Sequence, residues 1–137
     1  MTAFFDTNIL VYCTDTAAPD KQARAKSLVA RCALAGEAVL STQVLFELFH
    51  TLTRKQKMPA TTAQTLTQAY TAWPVIDSDL ALVSAAIEKS IQHRLSIWDA
   101  MVIEAALRAE AQTLYTEDLQ HGLRFGALTL VNPFILT

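Results

Sequence analysis

The sequence predicts an α/β fold: a three-layer sandwich whose central parallel sheet of about five short strands is flanked by helices. Two observations carry this. Short apolar runs alternate along the chain with segments of helical periodicity, which argues for a parallel sheet covered on both faces. The chain has 137 residues, is 52% hydrophobic, and contains only 3 Gly and 4 Pro, so one domain spanning residues 1–137 can bury a substantial core. No linker, repeat or low-complexity stretch interrupts it.

The elements follow in order. Residues 2–5 read as a strand, ending at Asp6-Thr7-Asn8, with a turn or brief helix over 8–12. Pro19-Asp20 opens an alanine-rich helix, with Ala23, Leu28 and Ala35 among its apolar positions, that stops at Gly36. Residues 38–41 form the second strand. Val44, Leu45, Leu48, Phe49 and Leu52 then repeat at i, i+3, i+4 and i+7, the mark of an amphipathic helix. It must end before Met58-Pro59, because a residue preceding proline avoids the helical region. A helix over 61–72 leads to a strand at 74–76, closed by Asp77 and Ser78. Leu80, Val83, Ser84, Ile87 and Ile91 mark the next helix. Ser96 caps another, in which Trp98, Met101, Val102 and Ala105 are expected to face inward. Residues 113–116 and 128–131 supply the last two strands.

Composition also excludes. No apolar run approaches the roughly 18 residues of a membrane span, and the start lacks a basic segment with a cleavage site, so a cytoplasmic location is expected. Cys13 and Cys32 are too few for a disulfide framework and have no metal spacing. The net charge of −2 argues against a protein that simply coats nucleic acid. Setting aside four of the thirteen acids, discussed next, leaves nine against eleven bases, a mildly positive body compatible with an RNA substrate.

Those four are Asp6, Glu47, Asp99 and Asp118, and each also has a plain structural role. Asp6 could make an Asx-turn or cap the helix after it. Ser96-x-x-Asp99 has the spacing of a capping box. Glu117-Asp118 could be turn residues. Glu47 is the least comfortable as decoration, because its helical neighbours Phe46, Leu48 and Phe49 are apolar and a carboxylate there needs a partner. Jointly they suggest more. In a parallel sheet, Asp6 and Asp118 leave the carboxyl ends of strands, where ligands bind, and Asp99 and Glu47 lie near the starts of helices at that edge. Carboxylates within about 5 Å of one another cost about 3 kcal/mol per pair at an effective dielectric near 20. A cation would relieve that cost, and oxygen ligands point to Mg²⁺ or Mn²⁺. Such an ion can activate water for phosphodiester hydrolysis.

With those residues in place, FFDTNIL, STQVLFELFHTL, SIWDAMVIEAAL, LYTEDLQHG and LTLVNPF together resemble the PIN-domain ribonucleases, and most of all the VapC-type toxins of bacterial type II toxin–antitoxin operons. The resemblance runs over essentially the whole chain in order. It implies a PIN-like fold and an endoribonuclease that uses Mg²⁺ or Mn²⁺. It makes Asp6, Glu47, Asp99 and Asp118 both the metal ligands and the catalytic acids. Thr7, Asn8 and Thr116 then match small polar positions that orient the acids or the attacking water, though turn and cap roles explain them equally. Glu117 could ligate through water or be a surface acid. The same resemblance implies a cognate VapB-like antitoxin lying across the active-site groove, a homodimer, and an RNA substrate such as tRNA. Phe46 and Phe49 are the candidate partner contacts.

Arg54, Lys55 and Lys57, and likewise His93 and Arg94, close helices, where cations favour the negative end of the dipole. The alternative is a phosphate-guiding patch for RNA. Lys21, Arg24, Lys26 and Arg31 read as a solvated helix face, and Trp73 and Trp98 as core. His50, His93 and His121 share no metal spacing. Rival readings are an acidic-pocket phosphatase, a receiver-like domain, or an idle PIN fold used for binding. Asp6-Thr7-Asn8 lacks the second acid of a haloacid-type phosphatase. A receiver domain would want paired acids after the first strand and a late Lys. Asp77 follows a strand, but neither of those features accompanies it.

Overall fold

The computed structural model describes residues 1–135. The chain runs β1 (Ala3–Phe5), α1 (Thr7–Tyr12), α2 (Pro19–Leu34), β2 (Ala38–Ser41), α3 (Thr42–Arg54), α4 (Ala60–Ala69), β3 (Val75–Ile76), α5 (Leu80–His93), α6 (Ile97–Arg108), β4 (Thr113–Tyr115), β5 (Arg124–Phe125) and β6 (Leu128–Val131). The strands form one sheet in the order β3-β2-β1-β4-β6-β5. Five are parallel, with Phe4 opposite both Val39 and Leu114, and Leu114 opposite Leu130.

The sixth strand, β5, pairs antiparallel with β6 and was not expected from the sequence. It is two residues long, too short for any period to register. Gly126, at φ +60°, lets the chain reverse within the two residues between β5 and β6.

Every residue of β1 and β2 is buried, as suits strands with helices on both faces. Phe4, Phe5, Leu40, Leu114, Leu128 and Leu130 form the centre of the core. Phe5 stacks on Tyr115 and meets Trp73 at 5.8 Å between ring centres, so Trp73 packs against the core as expected. Around the sheet, α1 packs on α2 and α3, and α4 on α3. The α5–α6 pair lies together, with α6 against β2 and β4. Lys89 and Glu104 tie α5 to α6 at 3.3 Å, and Arg108 reaches Asp79 at the head of α5 at 2.9 Å.

Local chemistry sets the helix ends. The Ser41 hydroxyl accepts from Val44 N–H and Asp79 Oδ1 from Leu82 N–H, each satisfying a first-turn donor. The rod expected over 61–72 is α4 followed by a 3₁₀ turn at Tyr70–Ala72, because Trp73, preceding Pro74, takes an extended conformation.

One inward placement fails. Met101, Val102 and Ala105 pack inward, but Trp98 is 55% exposed. Trp98 sits in the first turn of α6, where its ring walls an open cleft with Phe46, Glu47 and His50 of α3 rather than entering the core. No helix among the described residues is long and apolar enough to cross a membrane.

Candidate functional site

Parallel pairing sends β1, β2 and β4 out of the sheet at one edge, and α1 and α3 begin there. Asp6 is the residue at which β1 becomes α1. Its Oδ1 accepts from Thr7 N–H at 2.7 Å, so it caps the helix, and its Oδ2 accepts from the Thr116 hydroxyl at 2.8 Å. It is nevertheless 5% exposed. Burial pushes its carboxyl up to about 7; the Thr116 and Thr7 hydrogen bonds resist this, while Asp118 and Glu47 add to it.

Two threonines lace the acids together. Thr7 donates its hydroxyl to Glu47 Oε2 at 2.9 Å while its N–H holds Asp6. Thr116 donates to Asp6 while accepting from Asp118 N–H at 3.2 Å. Both are buried. Glu47 lies one and a half turns into α3, which starts directly after β2. Its second oxygen, Oε1, accepts from Gln43 Nε2 at 3.0 Å.

Asp99 is the third residue of α6. The Ser96 hydroxyl accepts from its N–H at 3.1 Å, so Ser96 caps the helix. No bond from Ser96 N–H back to the carboxylate completes a reciprocal box among the described residues. Burial raises the Asp99 carboxyl, the Ser96 hydroxyl lowers it, and Asp118 and Glu47 raise it further.

The four predicted acids therefore face one electrostatic neighbourhood: Asp118 and Glu47 act on both Asp6 and Asp99. They stand apart at charge-interaction distance. Among the described residues, no three His, Cys, Asp or Glu side chains already surround a point as metal ligands would. An all-carboxylate set of this kind suits a hard divalent cation.

Glu117 points elsewhere. Its carboxylate accepts from the Tyr12 hydroxyl at 2.6 Å and pairs with Lys21, whose ammonium also lies 5.0 Å from the Tyr12 ring centre and 5.4 Å from that of Phe134. Burial would raise Glu117, but Lys21 and Tyr12 outweigh it and hold the carboxyl below its ordinary range. Lys21 is thus not a purely solvated residue as the sequence suggested, and Arg24 also has a partner, the Pro133 carbonyl at 3.0 Å. Asn8 accepts from Glu117 N–H at 3.3 Å, and its Nδ2 is buried without a partner.

The basic candidates divide. Arg54, Lys55 and Lys57 are exposed at the far end of α3, about 10 Å along the helix axis from Glu47. His93, its ring 5.2 Å from that of Phe125, lines a cleft of about 450 Å³ with Leu119, Gln120 and Arg124. Arg94 caps α5 in a left-handed conformation. A second cleft, of about 510 Å³, runs beside Glu47 and is walled by Phe46, His50 and the exposed Trp98. Sequence reasoning singled out neither Gln43 nor Tyr12. The i, i+4 spacing of Gln43 to Glu47 was the available signal for the first, and none marks the second.

Solved structures resemble this one. The VapC20 toxin of Mycobacterium tuberculosis, described as cleaving the sarcin–ricin loop, superposes with a TM-score of 0.67 at 22% identity, over 85% of this chain and 90% of that one. A toxin–antitoxin complex from Klebsiella pneumoniae gives 0.68 at 17% identity, over 98% and 100%. VapBC2 from Rickettsia felis, solved with a promoter DNA fragment, gives 0.64 at 21%, over 95% and 97%. At these identities the likeness is one of fold. No curated protein sequence gives a significant match. The PIN domain family model, however, matches residues 3–122, which take in four of the six strands, every helix and all four acids, and the chain belongs to the PIN domain family.

Proposed function

We infer that this chain is a divalent-metal-dependent endoribonuclease, and that it acts as the toxin of a toxin–antitoxin pair. The observation that carries the reading is the lacing of Asp6 to Glu47 through Thr7 and to Asp118 through Thr116, with Asp99 in the same field. Such an arrangement burdens a metal-free fold, because a buried acid surrounded by acids resists ionisation. A fold keeps that burden for a cation.

Asp6, Glu47, Asp99 and Asp118 would hold Mg²⁺ or Mn²⁺, the all-oxygen set that such a cation takes. The ion supplies an activated water and charge stabilisation at a phosphodiester. The protein's own part is positional. Thr7 fixes the Glu47 and Asp6 oxygens, Thr116 fixes Asp6 and the Asp118 main chain, and Ser96 fixes the α6 terminus that presents Asp99. Asn8 holds the Glu117 main chain through its Oδ1. Glu117 is a structural tether. His93 and Arg124 share a cleft with Leu119, the residue after Asp118, and would offer cations to phosphates there, while Arg54, Lys55 and Lys57 form a separate basic end.

The structural relatives include toxin–antitoxin complexes, which supports a VapB-like antitoxin as partner. The exposed Phe46, Phe49 and Trp98 give it an apolar wall, and the acids would receive an arginine from it. The exposed Leu80, Ile87 and Ile91 on α5 offer a face for a homodimer. Purified chain is expected to cut RNA, tRNA among the substrates to try, with Mg²⁺ or Mn²⁺ and to stop with EDTA. Asp6→Asn and Asp99→Asn are each expected to lower cutting by at least a hundredfold while retaining the wild-type circular dichroism spectrum. Unchanged cutting by both variants would defeat the reading.

A further inference from the structure

Gln43 is a polar side chain in the first turn of α3 and only 1% exposed. A glutamine buried to that degree needs partners, and its amide has two. Nε2 donates to Glu47 Oε1 at 3.0 Å and to the main-chain carbonyl of Trp98 at 3.2 Å. Both partners are acceptors, which fixes the amide's orientation: reversing it would set oxygen against two oxygens. Oε1, on the other side, is buried with no donor. The side chain thus leaves one acceptor unsatisfied to keep both donors where they are, a cost that packing alone does not explain.

Its two donors join parts of the chain that nothing local connects. Glu47 is on α3, whereas Trp98 is on α6 and immediately precedes Asp99. Among the described residues, no hydrogen bond other than that from Gln43 joins a side chain of α3 to α6. Ser96 orients the first turn of α6 internally but does not fix its position relative to α3. Thr7 holds the other oxygen of Glu47 from the β1–α1 side. The Glu47 carboxylate is therefore gripped from both sides, and the Gln43 grip also sets where the head of α6 sits.

We propose that Gln43 is a positioning residue that sets the Glu47–Asp99 separation, and so tunes how well the two carboxylates share a divalent cation. The proposal rests on the metal-dependent reading above. Residues that orient metal-binding carboxylates typically change metal affinity by tenfold or more when removed. Methionine at this position keeps the length and much of the volume of glutamine but has no amide donor.

The test is Mn²⁺ titration of the full chain by calorimetry, without RNA, alongside thermal melting in EDTA. Gln43→Met, and Gln43→Leu as a second apolar shape, are expected to melt cooperatively and to bind Mn²⁺ about tenfold more weakly. If Gln43 works through Glu47, adding Gln43→Met to Glu47→Gln is expected to weaken binding by less than about twofold further. Three results would overturn the proposal: wild-type Mn²⁺ affinity in folded variants, full multiplication of the losses in the double variant, or loss of cooperative melting in both variants. The last would make the amide a requirement of the core alone. A wild-type chain that takes up no Mn²⁺ overturns the metal reading itself, and the role of Gln43 with it.

Discussion

Asp6 carries opposing demands in one side chain: it caps a helix, accepts from two donors and lies almost out of reach of water. Its folded pKa, about 7, lies above the 3.8 of an ordinary aspartate, chiefly through burial. Between those values the folded metal-free chain keeps a proton that the unfolded chain has released, so stability falls as pH rises through the window. Asp6→Asn removes the charge but keeps the shape. In EDTA at pH 8 it is expected to be about 2 kcal/mol more stable than wild type, the benefit of neutrality less a weakened hydrogen bond. The gap should close by pH 5, where Asp6 in the native chain is already mostly protonated. Calorimetric melting at the two pH values checks it, and an equal gap at both would show that Asp6 titrates normally. A divalent cation should reverse the ranking at pH 8, since it binds the ionised form.

At the scale of elements, the loop after β4 is held at three points. Thr116 and Asp118 are fixed toward Asp6, the Glu117 main chain is held by Asn8, and the Glu117 side chain is held by Tyr12 and Lys21 on α1 and α2. Glu117 is thereby engaged by Tyr12 and Lys21, whereas the Asp118 side chain, in the bend after β4, stays exposed. Glu117→Gln is accordingly expected to keep RNA cutting within about threefold. Its stability loss should stay below about 1 kcal/mol, because the Lys21 pair is partly open to solvent and Gln can still accept from Tyr12. Cleavage rates and urea denaturation check both; a hundredfold loss of rate would return Glu117 to the reacting group.

For the whole molecule, the sheet is the rigid part on which the acids are mounted. Leu114, at the centre of β4 between Phe4 and Leu130, is fully buried. Leu114→Ala is expected to cost about 3 kcal/mol, measured by urea denaturation, because the surrounding strands cannot collapse into the cavity. The outer face of α5 behaves oppositely. Ile91 is 77% exposed, so Ile91→Lys should change stability by no more than about 0.5 kcal/mol. If α5 is the self-association face proposed above, the same change shifts the chain toward monomer in light scattering; an unchanged dimer would exclude that face.

The sequence by itself determined the alternation of strands and helices, the helix starts at Pro19 and Ser96, and the five parallel strands. These depend on local events, a capping hydroxyl, a proline, an apolar run, that act within a turn or two. It also picked out the four acids as a set, and the parallel sheet brings Asp6 and Asp118 to one edge. Only the tertiary structure decided which way their neighbours face. Trp98 stays outside and walls the cleft beside α3, Glu117 turns to Lys21, and Gln43 reaches α6 from α3. Those outcomes join residues from 55 to 96 positions apart, and no periodicity in a window of one helix registers contacts at that separation.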